Sequence, residues 1–295
     1  MSKLLSPATI LAIRDIQLAA RTVVDGFLTG MHASRMKGVG LEFSQYRSYQ
    51  PSDDLRWLDW KMYARSDRYY VRQSEIETSI DIQVVIDASN SMQHTEGGIS
   101  KIDYARYLAA SLGYLSHLQG DATGLAAISN GDITTLAARR EASHMARFYY
   151  QLEQLQAGGR LPEQASSTSF TTGPHKRRLI VFITDFYEHN AEIMRLLDAF
   201  AAMGHEVIAF HLAGEQEQAA QFNGFQAVED LETGEVLQLD GSVDATRFAQ
   251  AWQAFTNNVR RHLLEKNIHY RMLSLQSPMD MALRDFLLHY SKIRR

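Results

Sequence analysis

Two runs in this chain, QVVID at 83–87 and LIVFITD at 179–185, are almost unbroken in apolar residues, and both stop at an aspartate. A strand with one wet face alternates apolar and polar side chains, whereas a strand buried on both faces does not. Both runs are too short for an ordinary helix and rich in β-branched residues, so they read as central strands. HEVIAFHLA at 205–213 reads as a third. Between and around them lie KIDYARYLAASLGYLSHL (101–118), EASHMARFYYQLEQLQ (141–156) and AEIMRLLDAFAAMG (191–204), with apolar residues at helical spacing. Such alternation predicts a doubly wound α/β fold, mostly parallel, with helices on both faces of the sheet.

The remaining segments fill in around that frame. ATGLAAIS and DITTLAA flank Asn130-Gly131, a tight hairpin signal. Residues 6–28 predict one helix, with Ser6 as cap and Pro7 at its first position. YYVRQ, FQAVED and EVLQL read as short strands, 243–266 as a long helix, and ALRDFLLHYSKIRR closes the chain. Leu55, Leu58 and Met62 suggest a helical turn. The expected division is an N-terminal helix plus a charged aromatic segment over 1–77, packed on the core. An α/β domain with C-terminal helices follows over 78–295. The stretch 161–177, LPEQASSTSFTTGPHKR, reads as a surface loop.

Composition removes several function classes. There is no cysteine, hence no disulfide framework and no thiolate chemistry. No apolar run approaches the length of a membrane span, and Arg14 and Asp15 interrupt any secretory leader, which points to the cytoplasm. A net charge of -4 speaks against non-specific nucleic-acid binding. The phosphate-cradling G-x-x-x-x-G-K, the zinc motif H-E-x-x-H and the nucleophile elbow G-x-S-x-G are all missing. No enzyme class is indicated.

Chemistry concentrates where the two strands end. In a doubly wound sheet, ligands bind beyond the carboxyl ends of the strands, at the point where strand order reverses. Asp87 and Asp185 stand at two such ends, and Ser89 and Ser91 follow the first at alternate positions. Were the strands neighbours, two carboxylates and two hydroxyls would share one crevice. That hard oxygen set suits Mg²⁺ or Mn²⁺, and without a cation two acids in one crevice repel. An ion held largely by neutral oxygens keeps much of its charge and would attract an acidic residue of another protein. The competing reading has Asp87 and Ser89 simply cap the turn into the next helix.

D-A-S-N-S-M at 87–92 with I-T-D at 183–185 resembles the von Willebrand factor A domain, whose metal-ion-dependent adhesion site uses D-x-S-x-S, a later threonine and a later aspartate. Upstream, G-x-G-x-E-F at 38–43, Arg47-x-Tyr49, DDLRWLDW at 53–60 and Ala64-Arg65 resemble the domain-of-unknown-function family 58, which carries such a domain. The resemblance implies a metal site of Asp87, Ser89, Ser91 and Asp185 holding Mg²⁺. It also implies a chaperone-like adaptor working with a MoxR-type AAA+ ATPase. One position departs from the pattern: Arg160 follows Gly158-Gly159 where a threonine is usual. Its guanidinium cannot ligate a cation. Either Arg160 points away, or it pairs with Asp87 or Asp185 in the metal's place, or a hydroxyl such as Thr168 or Thr171 supplies the ligand.

The upstream segment admits further readings. Asp53, Asp54, Arg56 and Asp59, flanked by Arg47 and Arg65, are a dense charge set that either pairs internally and locks the N-terminal segment onto the sheet, with Trp57 and Trp60 packed beneath, or faces a partner. A metal-free adaptor binding through residues 41–72 is the corresponding alternative. Pro51, Asp53, Asp59 and Lys61 faintly echo the acid and lysine set of metal-dependent nucleases, which keeps a hydrolase reading open.

Overall fold

The computed structural model describes residues 6–33, 45–49, 63, 65, 69–73, 80–162, 170, 177–188, 190–219, 227–231, 234–238 and 241–293. The chain forms two compact units: Met1–Ser34 with Ile80–Arg295, and Arg35–Ser79. The boundary expected at 77/78 grouped the N-terminal helices with residues 35–77, whereas the contacts place those helices in the larger unit.

The core of the larger unit is a six-stranded sheet. Its strands are β1 (Asp81–Asp87), β2 (Ala122–Ser129), β3 (Asp132–Arg139), β4 (Arg178–Thr184), β5 (Glu206–Ala213) and β6 (His269–Ser274). Their spatial order is β6-β5-β4-β1-β2-β3. All neighbours pair in parallel except β2 and β3. Those two are joined through Asn130 and Gly131, whose φ values of 53° and 73° are what a primed hairpin turn demands. From β1 the chain winds outward to β2 and β3, then returns to lay β4 against the other side of β1. The topological switch point therefore falls between β1 and β4. Ile86 pairs with Ile183 in that seam, so the two aspartate-bearing ends finish side by side.

The helices are α1 (Pro7–Leu11), α2 (Ile16–Ala33), α3 (Lys101–Leu118), α4 (Ala142–Gln154), α5 (Glu192–Ala202), α6 (Glu215–Ala219), α7 (Gly241–Glu265) and α8 (Asp280–Ile293). On one face, Leu196, Leu197 and Phe200 of α5 and Leu263 of α7 pack against Val85, Ile180 and Phe182. α3 packs against β1 and β2, with α4 and α8 beside it. It is buried around most of its circumference because α2 covers its outer side. Tyr107 donates its phenol to the Ile13 carbonyl at 2.8 Å. Helices thus lie on both faces, as the apolar runs predicted.

Two elements differ from expectation. The helix predicted over 6–28 is two helices, because the Asp15 carboxylate accepts the Leu18 N–H at 2.9 Å and starts α2 afresh as a cap. Ser6 caps α1 as expected, accepting the Thr9 N–H. Strand β6 was not anticipated; its sequence HYRMLS lacks an apolar run, and it is an edge strand with one fully buried residue, Leu273. In the smaller unit, Gln45–Ser48 pairs antiparallel with Tyr70–Gln73, and the Tyr63 and Tyr69 rings stack at 4.5 Å. The turn expected around Leu55, Leu58 and Met62 lies outside the described residues. No described helix is long and apolar enough to cross a membrane.

Candidate functional site

Each aspartate folds the backbone that follows it. Asp87 Oδ1 accepts the Ser89 N–H at 3.0 Å, and Asp185 Oδ1 accepts the Tyr187 N–H at 3.1 Å. An aspartate that bonds the amide two residues on makes an Asx turn, the usual way out of a strand for this side chain. Asp87 Oδ2 accepts the Thr184 hydroxyl at 2.7 Å across the β1–β4 seam. Ser89 and Ser91, brought round by one 3₁₀ turn over Asn90–Gln93, have their hydroxyls 3.1 Å apart. Ser91 Oγ donates to Asp185 Oδ1 at 3.1 Å. The four predicted residues Asp87, Ser89, Ser91 and Asp185 are therefore neighbours in one buried cluster.

The glycine pair closes one wall. Gly158 N–H donates to the Ala88 carbonyl at 2.8 Å, and the Gly159 carbonyl accepts Asn90 N–H at 2.9 Å. This backbone ladder holds the serine loop against the loop after α4. Gly159 has φ +66°, and a Cβ there would lie 2.4 Å from the Asn130 Cα. Arg160, next in sequence, is exposed, and its carbonyl accepts the Gly131 N–H at 2.9 Å.

Sequence reasoning missed a cation at the centre of the cluster. Lys101 Nζ donates to Asp185 Oδ2 at 2.9 Å and to Glu217 Oε1 at 2.8 Å, with its side chain only 5 % exposed. Lys101 is the first residue of α3, directly after the cap Ser100. A cation at a helix N-terminus opposes the helix dipole. That mismatch was the available signal that an acid had to stand nearby. Burial pulls the Lys101 ammonium towards losing its proton, but the charges and hydrogen bonds of Asp185 and Glu217 outweigh it and raise its pKa, keeping the charge in place.

Among the described residues, no ammonium or guanidinium pairs with Asp87 in this way. Burial, and then the Asp185 charge, push its carboxyl up to about 7 against the pull of hydrogen bonds from Thr184 and Ser89. One acid of the pair is thus neutralised by a lysine and the other by its tendency to hold a proton.

The Mg²⁺ implied by the family resemblance does not fit this arrangement. One Asp185 oxygen already carries a fixed ammonium and the other takes two hydrogen bonds. A divalent ion between the carboxylates would face Lys101 at a range where like charges repel by on the order of several kcal/mol. Arg160 supplies no ligand oxygen from its side chain.

The other predicted residues are placed less fully. Arg65 is exposed, and Arg47 belongs to the strand Gln45–Ser48. Asp53, Asp54, Arg56, Asp59, Lys61, Thr168 and Thr171 lie outside the described residues.

Comparison with known proteins gives the family of the chain. An uncharacterised protein of Mycobacterium tuberculosis is 29% identical over 280 residues, covering 93% of this chain and 86% of its own. One of Mycobacterium bovis matches to the same extent. Among solved structures, BatB of Bacteroides thetaiotaomicron has a TM-score of 0.46 at 18% identity, over 72% of this chain and 98% of its own. An aerotolerance-related membrane protein of Bacteroides fragilis has a TM-score of 0.47 at 18% identity, over 72% of this chain and 100% of its own. The SpRpn10 VWA domain gives 0.40 at 10% identity, over 70% and 95%. Residues 45–262, most of the chain, match the family described as "Protein of unknown function DUF58", and the chain belongs to that family.

Proposed function

We propose that this chain is a non-enzymatic protein-interaction module, and that the crevice at the carboxyl ends of β1 and β4 is its docking surface. The observation that carries the reading is convergence across 94 positions of sequence: Ser91 donates to Asp185, and Ser89 and Asp87 adjoin them. Such a cluster lies where doubly wound sheets bind their ligands. The carboxylates are committed to amides, hydroxyls and an ammonium, which suits a rigid recognition surface better than a general base. The partner class comes from the family resemblance: a MoxR-type AAA+ ATPase, served in a chaperone-like assembly role and offering an acidic side chain to the crevice.

The test is retention of a purified MoxR-type ATPase by the immobilised chain. Ser91→Ala and Asp185→Asn, checked for folding by circular dichroism, are expected to lose retention at least tenfold, the scale of a buried interface hot spot. Undiminished retention by both folded variants removes the crevice from the reading.

A further inference from the structure

The helix that follows β5 is built to deliver one carboxylate to the site. Its first two amides are taken by Glu96, which accepts Glu215 N–H at 2.8 Å and Gln216 N–H at 3.0 Å. Glu217 reaches back to the Gly214 N–H at 2.7 Å through Oε2, as a third-position glutamate does in a capping box. Gly214 is needed for this closeness, since a Cβ there would lie 2.2 Å from Glu96 Oε2. Held in this way, Glu217 has its second oxygen 2.8 Å from Lys101 Nζ. The two carboxylates on that ammonium are not equivalent: the Asp185 side chain is 2% exposed and that of Glu217 24%. Asp185 is the inner partner and Glu217 the outer one. They come from different elements, after β4 and after β5, so nothing local in the sequence requires them to share a lysine.

We propose that Lys101 is the resident cation of this site in place of a divalent metal, and that Glu217 is its intramolecular occupant, which a partner's carboxylate displaces. The proposal rests on the docking reading above and assigns the chemistry of that dock. Exchange of one carboxylate for another leaves the charge of the cluster unchanged, so no buried ion is stranded when Glu217 leaves. The inner Lys101–Asp185 pair stays intact through the exchange. α6 has five residues and is held at its start by Glu96, so release of Glu217 frees one side chain and one amide without unfolding the sheet. The occupant also acts as a filter: only a carboxylate that outcompetes a tethered one gains the site.

Two titrations on the whole chain test this. Calorimetry with Mg²⁺ is expected to show no binding to the wild type. Mg²⁺ binding that disappears in Asp185→Asn overturns the assignment of Lys101 as resident cation. The second titration uses N-acetylglutamate N-methylamide, followed by NMR through the Ser91 and Lys101 amides. Removing the tethered competitor in Glu217→Gln is expected to tighten probe binding by about tenfold over wild type. Lys101→Met is expected to abolish it. Equal affinity in wild type and Glu217→Gln, or no binding to Glu217→Gln, overturns the proposal even where Lys101→Met fails to fold. Failure here is separable from failure of the docking reading: a wild type that binds Mg²⁺ and still retains the ATPase through Ser91 and Asp185 keeps the dock and loses the lysine assignment.

Discussion

Thr184 and Asp87 are joined across the switch point by a single 2.7 Å hydrogen bond in which the threonine donates, while the same hydroxyl accepts the Phe186 N–H at 3.0 Å. One oxygen therefore serves two buried groups, the carboxylate that ends β1 and the amide of Phe186 just past β4. Thr184→Val keeps the shape but strands a carboxyl oxygen and an amide, and is expected to cost about 2–4 kcal/mol. Thr184→Ser keeps both bonds and is expected to cost about 1 kcal/mol for the lost methyl. Urea denaturation of the two variants checks this; equal costs would show that the hydroxyl is not what holds the seam.

The raised carboxyl of Asp87 has a definite sign in stability. Its folded pKa of about 7 lies above the ordinary 3.8, so the folded state binds the proton more tightly. The contribution is fully present below about pH 4 and is lost as pH rises through about 7. Asp87→Asn carries no titrating group and still accepts the Ser89 N–H. The melting temperature of the variant relative to wild type is expected to climb between pH 5 and pH 8, by several degrees. A difference independent of pH would mean that Asp87 is ionised throughout.

How much of this was legible in the sequence depends on the range of the interaction. β1, β4 and β5 were readable because both faces are buried, which leaves unbroken apolar runs. Asp87 and Asp185 were readable as candidates because each closes an apolar strand where doubly wound sheets bind ligands, but that their strands are neighbours came only with the sheet order. The pairing of Lys101 with Glu217 was not, because it spans 116 positions: the helix-start position of Lys101 signals that an acid stands nearby but not which one, and Glu217 looks like an ordinary charge of its own helix. Strand β6 was hidden for a different reason: an edge strand needs no apolar run, so HYRMLS carries no period to detect. Arg160 shows the opposite hazard. Its place after Gly158-Gly159 left open whether it points away or pairs with an acid in the metal's place; its side chain is exposed, and its carbonyl accepts the Gly131 N–H.

Gly159 links that loop to the serine loop and tolerates no side chain. Its φ of +66° disfavours any L-residue, and a Cβ would fall 2.4 Å from the Asn130 backbone. Gly159→Ala is expected to cost about 2 kcal/mol or more. It should also speed hydrogen exchange at the Asn90 amide, which now donates to the Gly159 carbonyl. Unchanged protection at Asn90 would mean that the serine loop holds its shape without the glycine wall.

His211 gives the pH profile its second arm. The ring is buried among Phe186, Trp252, Phe255 and Tyr270, with Nδ1 2.8 Å from the Tyr270 hydroxyl. Burial, helped by the Lys101 charge and opposed by Asp185, lowers its pKa to about 4. Here the folded value lies below the ordinary 6.5, so the contribution is present above about pH 6.5 and lost as pH falls through about 4. Asp87 and His211 therefore act in opposite directions between about pH 4 and 6.5 and largely cancel there. Above that window only the loss from Asp87 continues. Asp87→Asn is expected to unmask a stability that rises with pH through the window, and the His211 ring signals in NMR should not move between about pH 5.5 and 8. A His211 titration near 6.5 would place water or a carboxylate at that ring, and the opposing slopes would vanish with it.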